Sequence, residues 1–159
     1  EKHFENYDPK FALHVAEQFF MKEFCDFYLE MIKSRIYGTD KSRKSSALWT
    51  AHQVLYSVLQ MFSPFTCFIT EEIYQLVDGS EKSIHLTKLE NRGIRNKKSE
   101  KLGEIAKLVI SDIRRWKQDN KIKLGEHVNS VKISRSQKGE IKAVSDVICR
   151  TARVGELKL

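Results

Sequence analysis

With 159 residues, 41% of them hydrophobic and 31% charged, the chain has material for one or two small domains with a core, and no apolar run approaches the roughly 20 residues that cross a bilayer. No cationic-then-apolar signal segment opens it, and Glu1 begins inside what reads as a polar helical segment, so the sequence is expected to be a piece of a longer protein. The net charge of +7 is uneven: residues 1–40 carry 5 basic and 8 acidic side chains, residues 41–97 carry 8 and 5, and residues 98–159 carry 15 and 8, which points to a polyanion partner, with a solvated lysine-rich surface as the plainer alternative.

Asp8 followed by Pro9 predicts a capped helix start, because proline suits a first turn and the carboxylate accepts from free N–H groups. Leu13, Ala16, Phe20, Phe24, Phe27 and Met31 then mark one apolar stripe, and this helix is expected to reach about Tyr37, with Gly38 taking left-handed angles to close it. Thr39 to Ser46 read as a polar connection, in which Lys41, Arg43 and Lys44 either touch phosphate or face water. Ala47, Leu48, Ala51, Val54, Leu55, Val58, Leu59 and Phe62 recur at steps of three and four, the spacing of a helix with one buried side. Ser63-Pro64 stops that pattern; Phe65, Phe68, Ile69, Ile73 and Leu76 resume it, and Thr70 before Glu71 and Glu72 is expected to cap the new helix. Asp78-Gly79 marks a turn, alternating Ser83-Ile84-His85-Leu86-Thr87 predicts a short strand, and Asn91 to Lys97 predicts a polar linker.

From Ser99 a long helix is expected, with Leu102, Ile105, Ala106, Val109, Ile113 and Trp116 on its buried side and Lys101, Lys107, Arg114, Arg115, Lys117 and Lys121 elsewhere. Lys117, Lys121 and Lys123 exceed what the negative helix end requires, so part of this cluster is expected to meet phosphate. Val131 and Ile133 alternate with polar neighbours, Ile141, Val144, Val147 and Ile148 return to helical spacing, and Leu157 and Leu159 alternate again. Strand, helix, strand in that order predicts a parallel pair with a helical crossover, and Ile84 to Leu86 is the candidate third strand.

Catalytic patterns are missing. His3, His14, His52, His85 and His127 form no pair with metal-ligand spacing, no two cysteines make C-x-x-C, and there is no glycine-rich phosphate loop or nucleophile elbow. Adjacent Glu71 and Glu72 diverge by about 100° on a helix and cannot pair as acid and base. The chain by itself is not expected to be an enzyme, nor to hold a cofactor or metal. Cys25, Cys67 and Cys149 are scattered among apolar neighbours, which favours a reducing cytoplasm over disulfides.

Lys41-Ser42-Arg43-Lys44-Ser45 superficially resembles the K-M-S-K-S loop of class I aminoacyl-tRNA synthetases, but the nucleotide-binding sheet and H-I-G-H-type partner that such a loop needs are not in this sequence. Two other segments carry a closer resemblance. Phe24-Cys25-Asp26-Phe27-Tyr28-Leu29-Glu30 resembles the F-C-D-W-Y-L-E segment of valyl-tRNA synthetases, with Phe27 for tryptophan. Ser63-Pro64-Phe65-Thr66-Cys67-Phe68-Ile69-Thr70-Glu71-Glu72-Ile73-Tyr74 is similar to the A-P-F-M-P-F-I-T-E-E-I-W/Y segment shared by the valyl, isoleucyl and leucyl enzymes, with Thr66 where proline is common, and Ser83-Ile84-His85 fits the S-I-H that follows it. Gly103-Glu104-Ile105 to Leu124 is similar to the basic helix that comes after the bundle, and the tail looks like the end of a shorter, archaeal-type valyl enzyme.

The resemblance implies a mainly α fold: an antiparallel helical bundle, the class Ia anticodon-binding domain, over 1–97, followed by a small α/β C-terminal subdomain over 98–159. It implies a module that grips the anticodon stem-loop of a tRNA, tRNA-Val in the first instance, while the rest of the synthetase chain binds ATP with Mg and valine and does the chemistry. The same domain of an isoleucyl or leucyl enzyme is the near alternative, and a protein-interaction bundle the distant one. The helix that usually opens such a bundle is not in the sequence, so an apolar groove is expected to be uncovered or filled by a neighbour. Charge and placement, not motif, nominate the tRNA contacts: Lys33 and Arg35 at one helix end, Lys41, Arg43 and Lys44 in the loop, and Arg114, Arg115, Lys117 and Lys121 on the later helix. Asp26 and Glu30 are expected to hold Lys33 or the bundle.

Overall fold

A computed structural model of the chain describes residues 5–79, 82–88 and 95–159, which form two compact units: residues 5–29 with 38–79 and 82–88, and residues 30–37 with 95–159. The chain is mainly helical, with a small parallel sheet near its C-terminus. The linker expected over Asn91 to Lys97 lies outside the described residues as far as Ile94, and so does the segment opening at Glu1 as far as Phe4. No described helix is long and apolar enough to cross a membrane.

The first unit opens with α1 (Pro9–Gln18), where the Asp8 carboxylate accepts from the Phe11 N–H at 3.1 Å and Pro9 sits in the first turn. The helix then widens to π geometry over Phe19–Leu29. Ala16, Phe20, Phe24 and Tyr28 follow one another at a constant step of four, which drifts about 40° per step around an α-helix. The wider i→i+5 turn counters that drift. Phe20 and Phe24 stack with ring centroids 6.2 Å apart, Phe24 and Tyr28 at 5.9 Å, and Phe62 meets Phe20 edge-on at 6.0 Å. Phe62 closes the next helix but one, α3 (Lys41–Phe62); between them lies α2 (Glu30–Ile36), which packs in the second unit.

Helix α3 starts earlier than expected. Asp40 caps it, accepting from the Arg43 N–H at 3.0 Å, so Lys41, Arg43 and Lys44 are first-turn residues and not a connection. Gly38 is not left-handed; among the described glycines that conformation falls to Gly79, φ 63°, which closes α4 (Cys67–Asp78). Helix α4 begins after Thr66, one turn before the cap expected at Thr70. The Ser63-Pro64 break is taken up by a tight turn in which the Phe65 and Thr66 N–H groups both donate to the Phe62 carbonyl, leaving the chain free to re-enter a helix at once. Thr70 is buried instead, and its hydroxyl donates back to the Thr66 and Cys67 carbonyls at 2.9 and 3.1 Å.

The strand expected over 83–87 is a 3-10 turn, Ile84–Leu86, capped by Ser83. Alternation over five residues does not separate a strand from one tight turn, and here Glu71 decides. Its carboxylate accepts from Ser83 Oγ at 2.9 Å and the Ile84 N–H at 3.0 Å, which folds Ile84 against Leu59 and Tyr74 and leaves Leu86 exposed. Partial burial raises the Glu71 pKa, but donation from Ser83, Ile84 and Gln75 outweighs it, so the carboxyl ends below its ordinary range. A depressed carboxyl contributes stability above the unfolded-state pKa and loses it as pH falls through the folded one. The Ile84 amide proton shift is therefore expected to titrate with a midpoint below that of an ordinary glutamate, and Glu71→Ala to abolish the titration; persistence of the titration in that variant would refute the assignment.

In the second unit α5 (Lys97–Asp119), capped by Asn96, buries Ile105, Ala106, Val109, Ile110 and Ile113 and packs against α6 (Lys138–Ala143) and α7 (Ser145–Ala152); α2 also packs on α7. Strand β1 (Val128–Lys132) pairs in parallel with β2 (Val154–Lys158), with Val131 opposite Leu157, as the strand–helix–strand pattern predicts. The expected third strand is not supplied by Ile84–Leu86, which is the 3-10 turn of the first unit; among the described residues the sheet has two strands, and its marginal pairing is backed by the buried Val131, Ile133 and Val154. Ion pairs tie the elements: Arg135 to Asp112 at 2.7 Å and Lys101 to Glu140 at 2.9 Å.

Candidate nucleic-acid interface

The cations singled out by the sequence fall in both units. In the first, Lys41, Arg43 and Lys44 are exposed in the opening turn of α3. The helix dipole is positive at that end, so three basic residues there are not compensating it. Arg43 stands 3.8 Å from the Asp40 carboxylate, a partial offset, and the turn retains a net positive charge suited to an anion.

In the second unit Lys33 and Arg35 occupy the last turn of α2, where the dipole favours them. Lys33 is held by Glu30 at 2.5 Å, the partner the sequence suggested. Arg114 is half-buried and Arg115 exposed near the end of α5, and Lys121 is exposed in the turn that follows. Arg115, Lys121 and Lys123 make no ion pair among the described residues.

Lys117 is a different kind of residue, and its nomination as a phosphate contact is corrected. It is 1% exposed. Its ammonium donates to the Glu126 carbonyl at 2.6 Å, the Ala152 carbonyl at 2.7 Å and the Leu124 carbonyl at 3.4 Å, joining α5 to the following turn and to the end of α7. Burial pushes its pKa below the usual lysine range; neighbouring Arg153 adds to this and Glu126 opposes it. The sequence did hold a sign of this: Lys117 lies four residues after Ile113 and seven after Ile110, on the buried stripe. Trp116, expected there, sits at the edge with 36% of its surface exposed.

No group of three His, Cys, Asp or Glu side chains able to hold a metal occurs among the described residues. The first unit does carry an open apolar groove of about 710 Å³, lined by Phe20, Phe24, Leu48, Trp49, His52 and Leu55 among others. Its walls offer little for chemistry and much for packing.

Comparison with known proteins agrees with a binding module. The chain is 31% identical over 162 residues to a valine–tRNA ligase of Methanocaldococcus jannaschii, an alignment that takes in all of this chain and 18% of that protein. It is 34% identical over 147 residues to the valine–tRNA ligase of Pyrococcus abyssi, covering 89% of this chain and 16% of the other, and 42% identical over 84 residues to that of Orientia tsutsugamushi, covering 50% and 10%. The chain thus spans under a fifth of the length of these relatives. Residues 1–133 match the family described as the anticodon-binding domain of tRNA ligase. With a family match over most of its length, this chain belongs to the anticodon-binding domains of tRNA ligases.

Proposed function

We infer that the chain is the part of a valine–tRNA ligase that holds the anticodon arm of tRNA-Val, in the cytoplasm, while the rest of the ligase binds ATP with Mg and valine and joins the amino acid to the tRNA. The relatives named for valine support the amino acid. The observation that carries RNA binding is the exposed pair Arg115 and Lys121 at the end of α5, cations not engaged in ion pairs among the described residues. Arg114 adds to that surface. Lys33 and Arg35 on α2, and Lys41, Arg43 and Lys44 on α3, are further contacts in this reading. Such cations hold backbone phosphates, and unstacked anticodon bases are read by stacking on guanidinium or aromatic planes and by hydrogen bonds to their edges. Arg115→Glu with Lys121→Glu is expected to weaken binding of an anticodon stem-loop RNA and to lower the slope of log affinity against log salt by about two. An unchanged slope would remove this surface from the interface. Charging assays with the intact ligase separate valine from isoleucine and leucine.

A second reading, a protein-docking bundle, draws on α4, whose Phe68, Ile69 and Leu76 are 93%, 61% and 78% exposed. Burial of that face by the remainder of the ligase reconciles the two readings. A tight dimer in sedimentation, with no RNA shift, would favour docking as the main role.

A further inference from the structure

Helix α5 ends in a pattern that normally requires glycine. The Lys121 N–H donates to the Gln118 carbonyl at 2.9 Å and the Ile122 N–H to the Lys117 carbonyl at 2.8 Å, and the residue in the left-handed position, φ 57°, is Lys121. Helix α7 ends likewise on a cation: Arg153 is left-handed, φ 54°. A side chain at such angles is strained, and strain of this kind survives only where the surroundings enforce it.

The turn that follows Lys121 and the helix end that carries Arg153 are tied by one set of bonds. Arg153 Nη1 donates to the Gly125 carbonyl at 2.7 Å, and the buried Lys117 ammonium grips the Leu124 and Glu126 carbonyls on either side of Gly125 together with Ala152, the residue before Arg153. The turn between α5 and β1 and the end of α7 are thereby drawn together. Dipole compensation does not explain the strained cation at the end of α7, which already has Arg150 in its last turn and the Lys117 ammonium on its terminal carbonyl. Glycine in either position would remove the strain.

We propose that Lys121 and Arg153, held in left-handed positions around the buried Lys117, form a clamp for the phosphodiester backbone of the bound RNA, with Lys117 as its positioning residue. This rests on the RNA-binding reading above and extends it to α7, beyond residue 133 where the family match ends. Lys117 touches no RNA in this arrangement; it fixes the turn that carries Lys121 and Lys123.

The test uses the 159-residue chain and a labelled anticodon stem-loop RNA. Lys121→Gly is expected to raise the thermal midpoint, by relieving strain, and at the same time to weaken RNA binding about threefold and lower the salt slope by about one. Adding Arg153→Gly should lower the slope by about two in all. In a Lys117→Met background the loss caused by Lys121→Gly should shrink, since the clamp is already displaced; if that variant does not fold, the glycine variants alone decide. Native affinity and slope in both glycine variants, or a lowered midpoint for Lys121→Gly, would overturn the clamp while leaving RNA binding intact. A native chain without salt-dependent RNA binding would overturn the functional reading, and the clamp with it.

Discussion

Lys117→Met is expected to lower the unfolding free energy of the unit that contains it by about 2–3 kcal/mol, a fall of roughly 10–20 °C in its thermal midpoint. Two effects compete. Burying an ammonium is costly, and replacing a buried ion by an apolar side chain of similar length sometimes gains stability. Here the partners are backbone carbonyls that stay in place when the lysine goes, with Ala152 in the interior and contacts of 2.6 and 2.7 Å lost without substitute. Methionine fills the space but donates nothing, so the unsatisfied acceptors decide the sign. Fluorescence can follow this unit by itself, because the chain has two tryptophans, Trp49 in the first unit and Trp116 in the second, and Trp49→Phe leaves only the reporter on α5. Since the Lys117 pKa is depressed in the folded state, the unfolded chain binds the extra proton between the folded pKa and that of an ordinary lysine. Stability therefore rises with pH across that window, and the native chain's advantage over Lys117→Met should widen there. A Lys117→Met chain as stable as the native one would show that the three carbonyl bonds contribute nothing net.

The same residue shows where reading the chain by pattern succeeds and where it stops. Asp8-Pro9 and Asp78-Gly79 mark helix ends through local chemistry, and the parallel pair follows from two alternating runs separated by a helical one; each signal is complete within a few residues. The 3-10 turn at Ile84–Leu86 depends on Glu71, twelve residues earlier, and the burial of Lys117 depends on Ala152, thirty-five residues later. A window of ten residues contains neither partner, and Ala152 lies beyond any local window. The early start of α3 was legible, because Asp40 stands in capping position, but the basic run after it reads more readily as a loop. The π segment was not read from the sequence: the stripe through Phe24, Phe27 and Met31 keeps ordinary α spacing, and a step of four fits either kind of helix. Of the candidate interface, the cationic bias toward the C-terminal half could be read directly. Which lysines face water could not, because a long aliphatic stem lets a lysine sit on an apolar stripe and deliver its charge to carbonyls inside.

Gly155→Ala is expected to destabilise the second unit by about 1–3 kcal/mol, although it adds a single methyl group. A Cβ at that position would lie 2.7 Å from the Asn129 carbonyl oxygen and 3.5 and 3.6 Å from the Asn129 C and Cα. These are backbone atoms of the neighbouring strand, so no rotamer change relieves the contact and the strands must part. The ladder has nothing in reserve: the sheet is two strands wide, and the bonds from the Val128 N–H to Arg153 at 3.0 Å and from the Ile133 N–H to Lys158 at 2.8 Å bracket the point of collision. Gly103→Ala supplies the contrast. Gly103 lies inside α5 with open space where a Cβ would go, so alanine there is expected to stabilise by about 0.5–1 kcal/mol through helix propensity. Urea midpoints read through Trp116 should move in opposite directions for the two substitutions. Movement of both upward would mean that β1 and β2 tolerate a wider spacing, and that α5, α6 and α7 hold the unit together without the sheet.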